Sequence, residues 1–79
     1  MQYELITYDV WGNTRDGFQV NDAFHSGVFV DLPEDASDYL INRRLRARGV
    51  EWDGDPAFGL YGTNKRNGRP VAELRPVDL

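Results

Sequence analysis

The 79-residue chain sets nine Lys/Arg against thirteen Asp/Glu, a net charge of −4, with no cysteine and a single histidine. That length holds one domain on a small core, roughly 3–5 kcal/mol of stability, and the missing cysteines exclude disulfides and cysteine-ligated zinc as staples. No apolar run is longer than Val28-Phe29-Val30, so neither a membrane span nor a secretory signal is expected, and the chain reads as soluble and cytoplasmic.

Gln2 to Trp11 is predicted as a strand, with Tyr3 and Leu5 on one face and Ile6, Tyr8 and Val10 on the other. Apolar groups on both faces make it a central strand. Gly12-Asn13 and Asp16-Gly17 bracket a turn. Alternation resumes at Phe18, where Phe18, Val20, Asp22 and Phe24 are expected to share a face, and Gly27 marks a bulge or bend. Val28, Val30 and Leu32 continue the strand, giving a long hairpin or one with a broken second arm. Pro33 then ends the sheet.

Asp35 is the expected N-cap of a helix running from Ala36 to about Arg48, with Asp38 reaching back to the cap and Gly49 as the left-handed terminator. Ala36, Leu40, Ile41 and Leu45 fall on one face at helical spacing and should lie on the sheet. Arg44 projects near that stripe, where it either snorkels, answers a sheet carboxylate such as Asp9 or Asp22, or is kept for a partner. Val50-Glu51-Trp52 reads as a short strand and Asp53-Gly54-Asp55-Pro56 as a turn. Phe58 to Thr63 and Val71 to Val77 are predicted strands joined through Asn67-Gly68, a strong hairpin signal, with Pro70 at a sheet edge. The fold class is α+β: an antiparallel sheet of about five strands, β-β-α-β-β-β along the chain, with one helix on a face.

The charges are segregated. Asp31, Glu34, Asp35 and Asp38 form an acidic block, and Arg43, Arg44, Arg46 and Arg48 follow with no acid among them. Glu51, Asp53 and Asp55 form a second acidic cluster, and Lys65, Arg66 and Arg69 a second basic one. Acids early and bases late in a helix complement its dipole, worth about 0.3–1 kcal/mol per charge, and a binding surface can be built on the same order.

Nothing in the sequence assembles a catalytic constellation. His25 has no nucleophile evidently beside it and reads as a surface or strand-end residue. The Glu51, Asp53, Asp55 alternation fails as an EF-hand, because Pro56 and Gly62 stand where glycine and glutamate are required. Gly59, Gly62 and Gly68 do not match a phosphate loop. No metal or cofactor is expected, and no enzyme. Most of the ten aromatics are expected in the small core, leaving Trp11, Tyr39 or Tyr61 as the type that anchors interfaces.

The run Tyr8-Asp9-Val10-Trp11-Gly12-Asn13 followed by Asp16-Gly17-Phe18-Gln19-Val20-Asn21-Asp22 resembles a group of small phage and prophage accessory proteins sharing the pattern Y-D-x-W-G-N, a gap, then D-G-[FY]-x-V-N-D. Asp53-Gly54-Asp55, Asn67-Gly68-Arg69-Pro70 and Glu73-Leu74 also fit. The resemblance implies a cytoplasmic accessory protein in a host cell, similar in kind to anti-CRISPR proteins aimed at type I systems, which block a basic surface without chemistry. Asp31, Glu34, Asp35, Asp38, Glu51, Asp53 and Asp55 would then be the partner-binding residues. The alternatives are a nucleic-acid-binding accessory protein using Arg43, Arg44, Arg46, Arg48, Lys65, Arg66 and Arg69, or an assembly component packing through a sheet edge. A twofold homodimer would help so small a core. Trp11, Asn13, Asn21 and Asp22 are expected to fix the hairpin by bonding side chain to backbone.

Overall fold

The early alternation produces the longest strand pairing in the molecule. In the computed structural model, which describes residues 1–51, 56–60, 62–64 and 66–77, β1 (Gln2–Asn13) and β2 (Gly17–Asp31) form an antiparallel hairpin. A helix α1 (Asp38–Ala47) follows, then two-residue strands β3 (Ala57–Phe58) and β4 (Gly62–Thr63), and finally β5 (Pro70–Pro76). The predicted β-β-α-β-β-β order is borne out. The sheet runs β2-β1-β5-β3, with β4 also on β5, so β1 is central as its two apolar faces require. One pairing, β3 with β5, is parallel, which makes the sheet mixed. The predicted single strand from Phe58 to Thr63 is interrupted: the chain reverses after Phe58, and β4 returns antiparallel to β5. β5 is an internal strand, but Pro70 opens it beyond the end of its ladder with β1, which begins at Ala72, so on that side Pro70 lies at a local edge where its missing N–H is not needed.

The core lies between the sheet and α1. Tyr3 and Leu5 of β1, Val30 of β2, Ala72 and Leu74 of β5, and Leu32 meet Ile41 and Leu45 of the helix. Ala36, Leu40, Val50 and Phe58 pack around them, as the helical stripe predicted for the first two, and Phe58 tilts against Tyr3 with ring centroids 4.8 Å apart. Ile6 is buried but points to the opposite face, outside this cluster. The expectation that most aromatics lie in the core is not met, since Trp11, Phe24, Phe29 and Tyr39 are exposed.

The helix ends differ from the prediction at one side. Its cap is Ser37, whose Oγ accepts the Leu40 N–H at 3.2 Å. Asp35 instead sits inside a turn closed by Ala36 N–H on the Pro33 carbonyl, and Asp38 takes the first helical turn, where its charge suits the dipole. At the far end Gly49 adopts φ +81°, and the N–H groups of Gly49 and Val50 bond the carbonyls of Arg46 and Leu45. This double closure is a Schellman motif. It consumes the Val50 N–H, and residues 50 and 51 therefore form no strand. Trp52 and the Asp53-Gly54-Asp55 part of the predicted turn lie outside the described residues.

Two bulges shape β2. Between Asp9↔Asp22 and Val10↔Val20, Asn21 is the extra residue. Between Glu4↔Phe29 and Ile6↔His25, Ser26, Gly27 and Val28 oppose Leu5 alone, as Gly27 foretold. The Asn21 bulge overturns the expected common face. Phe18 and Val20 lie with Gly12 and Val10, whereas Asp22 and Phe24 lie with Asp9 and Thr7.

Candidate functional site

One candidate surface follows from where the third strand stops. β5 pairs with β1 only over Tyr3 to Thr7. From Tyr8 outward the β1–β2 hairpin has no further described strand beside it and forms a two-stranded arm. The resemblance motif falls on this arm. Asn13 fixes the tip, its Oδ1 accepting the N–H groups of Arg15 (2.9 Å) and Asp16 (2.8 Å). Gly12 at φ +108° is required there, because a Cβ would come within 2.2 Å of the Gly17 carbonyl oxygen. Asp22 Oδ1 accepts the Ala23 N–H at 2.8 Å, the expected local bond. Trp11 and Asn21 behave otherwise: both donate to Asp9 Oδ2, at 3.3 and 3.4 Å. One carboxylate thus orients an indole that is 64 % exposed. A depression of about 400 Å³ lies beside it, lined by Trp11, Gly12, Asp16, Gly17, Phe18 and Gln19.

At the other end of the hairpin, Asp31, Glu34, Asp35 and Asp38 are all exposed along the link from β2 to α1. None forms an ion pair with a described residue. Twelve residues of β1 separate the two ends, and the molecule is 37 Å along its longest axis. Arg44 does not answer Asp9 or Asp22; its Nη1 donates to the Asp31 carbonyl at 3.3 Å. With Met1, Leu32 and Pro33, Asp31 and Arg44 line a depression of about 270 Å³. Glu51 is exposed beyond the helix C-terminus, while Asp53 and Asp55 lie outside the described residues. Of the alternative basic set, Arg43, Arg44, Arg46, Arg48, Arg66 and Arg69 are exposed, and Lys65 lies outside the described residues.

Sequence reasoning missed a polar network on the sheet face away from α1. His25 Nδ1 lies 2.7 Å from Glu4 Oε1, with the imidazole exposed and the carboxylate half-buried. His25 is a surface residue, but in mid-strand and not at a strand end. Beside this pair Arg75 Nη2 donates to Glu73 Oε1, and Glu73 is only 7 % exposed. That hydrogen bond and charge, with Tyr8 and Glu4 nearby, hold the Arg75 pKa above its ordinary value. Register explains the grouping, since Glu4 faces Arg75 and Ile6 faces both Glu73 and His25. Glu4 and His25 are 21 residues apart and need the β1–β2 pairing to meet, whereas Glu73 and Arg75, two apart, share one face of β5; the β1–β5 register sets the two pairs side by side. The neighbouring Ser26 turns its Oγ to the backbone, accepting the Val28 N–H at 3.0 Å.

No family model, curated protein or solved structure matches this chain. None of its helices is long and apolar enough to cross a membrane among the described residues.

Proposed function

We propose that this chain is a non-enzymatic binding protein that docks its acidic end on a Lys/Arg-lined surface meant for nucleic acid. The observation that carries this reading is the run of exposed carboxylates at Asp31, Glu34, Asp35 and Asp38, none in an ion pair with a described base, although Arg44 reaches the Asp31 carbonyl. Gathered at one end of the molecule, they present a directed negative field, which speeds encounter with a basic groove and penalises wrong partners. Glu51, exposed past the C-terminus of α1, lies at the far end of the helix from Asp38 and is not counted in this end. In the setting the resemblance implies, the target is a subunit of a type I CRISPR effector in the host cell, and the mode is occlusion without turnover.

The test is a binding titration of the purified chain against type I effector subunits, with competition by target DNA. Complex formation that weakens with salt, and weakens about tenfold or more in a D31K/E34K variant, supports the reading. Unchanged binding in that variant excludes the acidic end. Direct submicromolar binding of DNA or RNA by the chain would replace this reading with the nucleic-acid alternative.

A further inference from the structure

The sheet face that carries α1 is only half covered. Its helix-side core ends at Leu5, and the same face continues along the arm as Thr7, Asp9 and Trp11 opposite Phe24, Asp22 and Gln19. Trp11 and Phe24 are 64 % and 51 % exposed, large aromatics of the kind that anchor interfaces. Between them Asp9 stands directly opposite Asp22. Like charges so placed cost stability until a cation lies against them, and neither is ion-paired to a described residue.

The complementary chemistry is on the outward side of α1. Tyr39, Arg43 and Arg46 recur at helical spacing opposite the buried Ile41 and Leu45. Tyr39 is 76 % exposed, and neither arginine has a described ion pair. A ten-residue helix is about 15 Å long, and the arm face from Thr7 to Asn13 runs about 20 Å at the usual strand rise. The helix of a second copy therefore fits on the arm.

We propose that two copies of this chain pair face to face about a twofold axis, each laying Tyr39, Arg43 and Arg46 on the other's Asp9, Trp11, Asp22 and Phe24. Each chain has a step-shaped profile, helix over the base and bare arm beyond, and a twofold axis fills both steps at once. Guanidinium groups then neutralise the facing carboxylates and meet the Trp11 ring. Edge-to-edge pairing through β2 is the less favourable route. Its two bulges break the ladder, and Asp22 already occupies the Ala23 N–H. The inference does not rest on the acidic-end reading, and its variants leave Asp31, Glu34, Asp35 and Asp38 untouched.

Sedimentation equilibrium of the full chain from about 1 to about 200 μM tests it. A dimer weakened by salt is expected, and D9K/D22K and R43E/R46E should each weaken it about tenfold or more. An equimolar mixture of the two variants should dimerise again, because both halves of the mixed interface are then complementary. Circular dichroism checks that each variant folds; should a charge-reversed chain fail to fold, W11A and Y39A must weaken the dimer instead. A chain monomeric throughout the range overturns the proposal. So does a dimer indifferent to these substitutions, or a mixture no better than its components.

Discussion

Ser37 caps α1 because the backbone upstream is already committed. The Pro33 carbonyl takes the Ala36 N–H, which holds Asp35 inside a turn and leaves Ser37 extended at the helix entrance. Ser37→Ala should therefore cost about 1 kcal/mol, read as a lower denaturation midpoint at unchanged slope, whereas Asp35→Ala should stay within about 0.5 kcal/mol. Equal effects would contradict the cap assignment. Glu73 makes a second residue-scale prediction. It is nearly buried and its Oε1 is bonded by Arg75, so Arg75→Ala strands a carboxylate and should cost about 1–2 kcal/mol. Glu73→Gln, which keeps an acceptor and removes the charge, should cost less. The order of the two melting temperatures decides the matter.

At the scale of elements, α1 closes the core. Leu45 is fully buried between β-strand residues and its own helix stripe, so Leu45→Ala should cost about 2–5 kcal/mol, a large share of what so small a domain possesses. Chemical denaturation measures it, and a loss below about 1 kcal/mol would place the core elsewhere. The features legible in the sequence were those with a long local period. The 3.6-residue stripe of Ala36, Leu40, Ile41 and Leu45, the two-faced alternation of β1, and Gly49 past the helix end all emerged where expected. The features that escaped have no period to read. An inserted Asn21 looks like any other strand residue, yet it moves Phe18 and Val20 to the opposite face from Asp22. Two-residue strands such as β3 and β4 carry no alternation, and Val50 was drawn into the helix terminus by a hydrogen bond its β-propensity does not reveal.

For the whole molecule, charge was legible as composition but not as placement. The acidic block was visible in the sequence, while the Glu4–His25 contact and its place beside Glu73 and Arg75 depend on strand order, and the arm on where β5 stops. That stopping point divides the sheet into parts of unequal stability. Residues Tyr3 to Thr7 are flanked on both edges and partly roofed by α1, whereas the hairpin beyond Tyr8 has one pairing and no helix cover. A lone two-stranded ribbon is at best marginal in water, so arm amides should exchange with solvent through local opening while those of the wider base wait for global unfolding. Hydrogen exchange by mass spectrometry at low protein concentration should show this as a step in protection between the two parts. Raising the concentration discriminates further. If a second copy covers the arm with its helix, protection of residues 8–24 and of α1 should rise together while the base, already at its ceiling, changes little. Arm protection that is independent of concentration would leave the hairpin bare in solution and remove the reason for its exposed Trp11 and Phe24 to face a partner of their own kind.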